Sequence, residues 1–191
     1  IAWYDNDGAV NPGFEFRNIG AGREPVDIFV IDVDSDGDLD VLSAEQAQWS
    51  NGYSGGIHWY ENDGAASPSF TRIEIQYSAT DGQSVFGIDL DQDGDIDILS
   101  ASRSQDKIQW YENNGASDPS FTAHEISNDV DGASDVRAID LDGDGDLDVL
   151  SAGRNSDEVA WHDNNGSQIF TKKIITTNAK TVNEVFGIDL D

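Results

Sequence analysis

Apolar and polar positions alternate along most of this chain in short runs. In Ile108-Gln109-Trp110-Tyr111-Glu112-Asn113, Ile108 and Trp110 point one way and Gln109 and Tyr111 the other. Each run is short, rich in β-branched or aromatic residues, and bounded by Gly, Asn, Asp or Ser, which predicts strands. No segment keeps a helical period over a useful length.

The runs recur. Trp3, Trp59, Trp110 and Trp161 sit in IAWYDN, IHWYEN, IQWYEN and VAWHDN, spaced by 56, 51 and 51 residues. Each is followed by an Asp-Gly or Asn-Gly pair, then in three copies by Phe-Thr (Phe70-Thr71, Phe121-Thr122, Phe170-Thr171). A second apolar run leads into Asp: VFGIDLD occurs verbatim at 85–91 and 185–191, with relatives at 28–34 and 136–142. Each repeat therefore predicts four strands: the run before an Asp-rich loop, the VLSA-type run after it, the W-Y-E-N run and the Phe-Thr run. The Asn-Gly and Asp-Gly pairs suit a hairpin turn between the third and fourth, since both residues tolerate positive φ. Four antiparallel strands per repeat of this length predict β-propeller blades in an all-β fold. The expected boundaries are 1–25 (partial), 26–82, 83–133, 134–182 and 183–191 (partial), a single propeller segment of about three and three-quarter repeats. Independent β-sandwiches are disfavoured because ~50 residues bury too little surface to fold alone. A nonapeptide β-roll has the wrong period.

Between the first and second strands lie Asp32-Val-Asp34-Ser-Asp36-Gly37-Asp38-Leu-Asp40, Asp89-Leu-Asp91-Gln-Asp93-Gly94-Asp95-Ile-Asp97 and Asp140-Leu-Asp142-Gly-Asp144-Gly145-Asp146-Leu-Asp148. Calcium takes six to eight hard oxygen ligands, and carboxylates on alternate residues of a tight loop supply them. Gly at position six permits the sharp turn. Magnesium fits less well, because it prefers fewer protein ligands in strict octahedral geometry. An EF-hand would place a bidentate Glu at position twelve, where Ser43, Ser100 and Ser151 stand, and would flank the loop with helices.

An apolar strand, D-x-D-x-D-G-x-x-D and a second apolar strand resemble the FG-GAP and VCBS repeats, the calcium-loop blades of integrin α-chain propellers and of many secreted bacterial proteins. The resemblance covers essentially the whole chain. It implies side-chain ligation by positions one, three, five and nine and backbone carbonyl ligation by position seven. Those are Asp32, Asp34, Asp36 and Asp40 with Asp38; Asp89, Asp91, Asp93 and Asp97 with Asp95; and Asp140, Asp142, Asp144 and Asp148 with Asp146. About three calcium ions per chain follow. Asp at position seven departs from the family pattern, and its side chain is expected to face solvent or to add long-range attraction.

Charge sharpens this picture. The chain carries 38 acidic against 10 basic residues, a formal net charge of -28. Seventeen of the acids are loop Asp residues, fifteen in complete loops and two in the partial fourth, where calcium should bind poorly. Such a field disfavours nucleic acid and anionic membrane as partners and attracts cations. There is no Cys, so thiolate metal sites and disulfides are excluded. There is no Met either, so Ile1 is not expected to be the start of translation. No apolar run approaches a transmembrane helix.

Ligand contacts are expected on the loops between second and third strands. That loop is long in the first full repeat, Glu45–Gly56, and brings Trp49 and Tyr53 into a Gly/Ser/Asn setting suited to sugar rings or peptide side chains. Arg103 and Arg154 occupy equivalent positions in the shorter loops and would pair with nearby acids or grip an anionic group. The repeated Trp residues read as blade packing. Tyr4, Tyr60, Tyr111 and His162 lie on the other side of the same strand and are expected to meet the next blade. His58, His124 and His162 belong to no recognisable Ser-His-Asp set. The expectation is a non-catalytic, calcium-stabilised extracellular or cell-surface module that binds a protein ligand or assembles with further blades or chains. The alternatives are a carbohydrate-binding lectin and the propeller part of a polysaccharide-cleaving enzyme.

Overall fold

A computed structural model describes residues 1–20, 24–47, 52, 55–77 and 81–188. Fourteen strands form four antiparallel sheets, with no helix among the described residues. The first sheet pairs β1 (Ala2–Asn6) with β2 (Phe14–Asn18). Three complete blades follow, each pairing its strands in sequence order. Blade 1 contains β3 (Pro25–Ile31), β4 (Asp40–Glu45), β5 (Gly56–Asn62) and β6 (Phe70–Tyr77). Blade 2 contains β7 (Gly82–Ile88), β8 (Asp97–Ser102), β9 (Lys107–Asn113) and β10 (Phe121–Ser127). Blade 3 contains β11 (Ala133–Ile139), β12 (Asp148–Gly153), β13 (Glu158–Asn164) and β14 (Phe170–Thr176). The chain is a partial β-propeller.

Register repeats along with sequence. Ile31 pairs with Asp40, Ile88 with Asp97 and Ile139 with Asp148, so every Asp-rich loop is bracketed by the same rung. Leu42, Leu99 and Leu150 pair with Trp59, Trp110 and Trp161.

The core lies between blades, because a four-stranded sheet of this size buries its apolar faces only against a neighbour. Phe29, Ile31, Leu42, Ala44, Ile57 and Trp59 of blade 1 pack against Val85, Ile98, Tyr111 and Phe121 of blade 2. The matching residues of blade 2, Phe86, Ile88, Leu99, Ala101, Ile108 and Trp110, pack against Val136, Val149 and Phe170 of blade 3. Trp59 meets Phe121 edge-on, with ring centroids 6.4 Å apart. The Trp residues thus face the following blade, as packing residues should. Tyr111 faces the preceding blade, which corrects the expected direction for the Tyr series. Since successive side chains of a strand point to opposite faces, fixing the Trp direction fixes the Tyr direction.

Hydrogen bonds also cross between blades. The Val85 N–H donates to Asp27 Oδ2 at 3.0 Å, and the Val185 N–H donates to Asp135 Oδ2 at 2.8 Å. Residues 182–188 repeat the sequence of a first strand but join no sheet. A strand is defined by its ladder, and among the described residues this segment has no ladder partner.

Candidate metal centres

Three Asp-rich loops occupy the turns β3–β4, β7–β8 and β11–β12, and they fold alike for local reasons. Gly37, Gly94 and Gly145 have φ of 98°, 102° and 97°, a region that L side chains strongly disfavour. Their N–H groups donate to the first carboxylate of each loop: Asp32 Oδ2 at 3.0 Å, Asp89 Oδ2 at 3.0 Å and Asp140 Oδ2 at 3.1 Å. The position-five N–H donates to position three, and the position-seven N–H to position five, in every loop. These short-range bonds fix the orientation of the carboxylates of positions one, three and five.

Position nine is tied differently. Asp40, Asp97 and Asp148 are buried, and each carboxylate accepts two backbone N–H groups. Oδ2 accepts from Val33, Leu90 and Leu141 at 3.0–3.1 Å. Oδ1 accepts from Asn62, Asn113 and Asn164, at 2.8 Å in each case. Burial raises the pKa of Asp97 to about 6, against the lowering effect of its backbone hydrogen bonds. Asp40 is raised for the same reason. Asp34, Asp91 and Asp142 are also raised, by desolvation first and then by neighbouring carboxylates.

The result is three groups of carboxylate oxygens within 4.8 Å of one another: Asp32, Asp34 and Asp36; Asp89, Asp91 and Asp97; Asp140, Asp142 and Asp148. Asp32 Oδ1 and Asp89 Oδ1 are buried and accept no hydrogen bond. A buried carboxylate oxygen without a donor is costly, and a cation at the centre of the first two groups removes that cost, whereas Asp140 Oδ1 of the third accepts from the Gly143 N–H at 2.8 Å. The residues present therefore fit a hard divalent cation. The backbone conformation brings positions one and three together with position five in the first loop and with position nine in the second and third, so each cluster holds three of the expected carboxylates.

Two features of the site were not anticipated. Asp38, Asp95 and Asp146 at position seven do not simply face solvent. Their carboxylates lie half-buried over the turn glycines Gly64, Gly115 and Gly166, so closely that a Cβ at any of these glycines would collide with Asp38, Asp95 or Asp146. The Asn closing each W-Y-E-N run is the second. Besides its N–H bond to position nine, its side-chain amide donates to the position-eight carbonyl: Leu39, Ile96 and Leu147, at 3.0–3.1 Å. Its Oδ1 accepts from Gly64, Gly115 and Gly166. One residue thus clamps the acidic loop to the turn beside it. The invariance of Asn among the repeats was the available signal.

Trp49 and Tyr53 lie outside the described residues. Arg103 is half-buried and Arg154 exposed, and neither forms an ion pair among the described residues. Arg154 lines a polar pocket of about 300 Å³ beside Arg137, Gln83, Ser84 and Asn183. Arg137 there pairs with buried Asp135 at 2.9 Å. At the end of β4, buried Glu45 accepts from Tyr60 Oη and Arg72, both at 3.2 Å. His58 and His162 are buried within blades, and His124 stacks on Trp110.

Repeated four-stranded blades with an acidic loop at one end define a β-propeller repeat protein with metal-competent turns. The chain belongs to the FG-GAP-like repeat family, whose sequence model matches residues 89–151 and again 140–191. Such repeats build β-propeller-like protein-interaction modules. No curated protein matches the chain.

Proposed function

We propose that the chain is a calcium-stabilised, non-catalytic binding module working outside the cell or at its surface. The observation that carries the calcium reading is the buried, donorless Oδ1 of Asp32 and of Asp89 within its carboxylate group. Asp32, Asp34, Asp36 and Asp40 would hold one ion, with the equivalent Asp residues of blades 2 and 3 holding two more. Bound calcium would neutralise these carboxylates and pin the first strand of each blade to its second. The side chains of position nine are already held by backbone N–H groups, so they meet the ion preorganised. Millimolar extracellular calcium suits weak oxygen-ligand loops, which supports an extracellular setting. A non-catalytic role is supported by the burial of His58 and His162 within blades.

The deciding experiment is thermal unfolding with calcium and then with excess chelator, alongside metal content by mass spectrometry. About three bound ions and a marked rise in the unfolding midpoint are expected. Absence of bound metal and of any shift overturns the calcium reading.

A second reading, carbohydrate binding, is favoured by the polar pocket beside Arg154. Its amide, hydroxyl and guanidinium groups suit a sugar's hydroxyls. A glycan array in calcium, read for wild type and Arg154→Ala, separates it from a purely protein-binding role.

A further inference from the structure

The acidic loops of neighbouring blades are joined to each other. The side-chain amide of Gln92, at position four of the second loop, donates to the carbonyl of Gly145, at position six of the third, at 2.7 Å. The Asn113 side chain, which clamps the second loop at the Ile96 carbonyl, also donates to the carbonyl of Val33, at position two of the first loop, at 3.2 Å. Hydrogen bonds thus connect the first loop to the second and the second to the third.

Packing follows the same route. Val33 and Leu90, both at position two, are each 1% exposed. Val33 shares a core cluster with Val85, Ile98 and Tyr111 of blade 2. Leu90 shares one with Val136 and Val149 of blade 3, against which Leu147 of the third loop also packs. The backbone N–H groups of Val33 and Leu90 are meanwhile held by position nine of their own loops, Asp40 and Asp97. Position two therefore anchors its loop in the next blade. Its flanking residues, Asp32 with Asp34 and Asp89 with Asp91, belong to the carboxylate groups.

We propose that the loops fill with calcium as a coupled set, with Gln92 linking the second loop to the third. The proposal rests on the calcium reading and gives the binding module a form of regulation. An empty loop crowds five carboxylates into nine residues, and their repulsion favours opening. Opening the second loop would withdraw Leu90 from the interface and Gln92 from Gly145. A cation in the second loop holds Asp91, the residue before Gln92, and so keeps the amide on the third loop. A cation in the third loop holds Asp140, which accepts the Gly145 N–H, and so keeps the Gly145 carbonyl in place for Gln92. Each ion favours the loop conformation that the other requires, and such coupling is reciprocal. Direct repulsion between the ions acts the other way, and salt screens it. A neutral hydrogen bond contributes roughly a two- to tenfold preference, which sets the expected size of the coupling. The blade interface then responds to calcium over a narrower concentration range than independent loops would give.

Isothermal titration with calcium in moderate salt tests it. The first loop is disabled by Asp34→Asn with Asp36→Asn, leaving a two-loop chain. Adding Asp91→Asn with Asp93→Asn leaves the third loop alone, and adding Asp142→Asn with Asp144→Asn leaves the second alone. The product of the two stepwise constants of the two-loop chain, divided by the product of the two single-loop constants, is the coupling factor. It should be about two- to tenfold, and should vanish when all three chains also carry Gln92→Ser. Ser35 holds the same position of the first loop at a φ of 60°, against 62° for Gln92, so this substitution keeps the loop backbone. Should Gln92→Ser melt early in chelator, Gln92→Gly takes its place, since Gly143 stands there in the third loop. In the chain with all loops intact, Gln92→Ser should make the titration shallower while the number of bound ions stays the same, a measurement that survives if a disabled chain does not fold. No coupling in the two-loop chain, the same coupling in both backgrounds, or an unchanged titration of the intact chain overturns the proposal and leaves the calcium reading standing. Absence of calcium uptake by wild type overturns the calcium reading, and the proposal with it.

Discussion

The backbone N–H of Asn113 donates to Asp97 Oδ1 at 2.8 Å, joining the end of the third strand of blade 2 to the last carboxylate of its acidic loop. The Asn113 side chain adds bonds to the Ile96 carbonyl at 3.0 Å and, across the blade boundary, to the Val33 carbonyl at 3.2 Å. Asn113→Ala keeps the backbone bond but strands two buried or half-buried carbonyls. It should lower stability by about 1–3 kcal/mol in chelator. It should also weaken calcium uptake, since the loop loses its clamp. Denaturant melts with calcium and with chelator check both effects. An unchanged melt in chelator would show that the clamp does not contribute.

Asp97 and Asp93 occupy the same loop but should respond differently to neutralisation. Asp97 accepts N–H groups on both oxygens, so Asp97→Asn turns an amide NH₂ toward a donor and should destabilise the chain even without metal. Asp93→Asn keeps the one acceptor that the Asp95 N–H uses. It should leave the chelator melt near wild type while reducing calcium stabilisation. Equal effects of the two variants in chelator would contradict this division of roles.

Gly115 is constrained twice, by a φ of 64° and by the Asp95 carboxylate above it. Gly115→Ala should therefore cost more than the ~1 kcal/mol expected of the backbone conformation alone. Asp95→Gly made in the same chain removes the collision and should recover the excess. A double-mutant cycle in chelator measures that coupling, and strict additivity would mean that the carboxylate simply moves aside.

Stability should fall as the medium is acidified below the ordinary histidine range. Burial lowers the pKa of His162 to about 4, aided by nearby Lys172 and opposed by Asp129. His58 is likewise lowered to about 4, by burial first, with Glu45 opposing and Arg72 assisting. Folded pKa values below the unfolded value of about 6.5 mean that the unfolded chain binds more protons. The contribution is complete above pH 6.5 and is lost as pH falls towards 4. Full loss amounts to on the order of 3 kcal/mol per histidine. His162→Tyr restores the residue found in the other repeats and should remove its share of this slope. The comparison is the difference in unfolding free energy between wild type and variant across that window, in calcium, so that carboxylate titration largely cancels. A variant with the same slope as wild type would refute the assignment to His162.

Most of the fold was legible because the chain repeats itself. Alternation in I-Q-W-Y-E-N, turn pairs such as Asn114-Gly115, and apolar runs on either side of each D-x-D-x-D-G loop are local signals, and strands and tight turns answer to local signals. The acidic loops were legible for the same reason. Each is nine residues long, and most of its internal bonds, such as Gly94 N–H to Asp89 Oδ2, span five residues or fewer. Sequence by itself thus determined the all-β class, the four strands per repeat and the three loops in which acidic clusters form, while the third carboxylate of each cluster differs between loops.

Only the tertiary structure decided what lies across an interface. Alternation places Trp110 and Tyr111 on opposite faces without saying which face meets the following blade, since either choice satisfies a period of two. The Asn113 clamp and the contact of Asp95 with Gly115 join residues that are close only after strands pair, so no local pattern contains them.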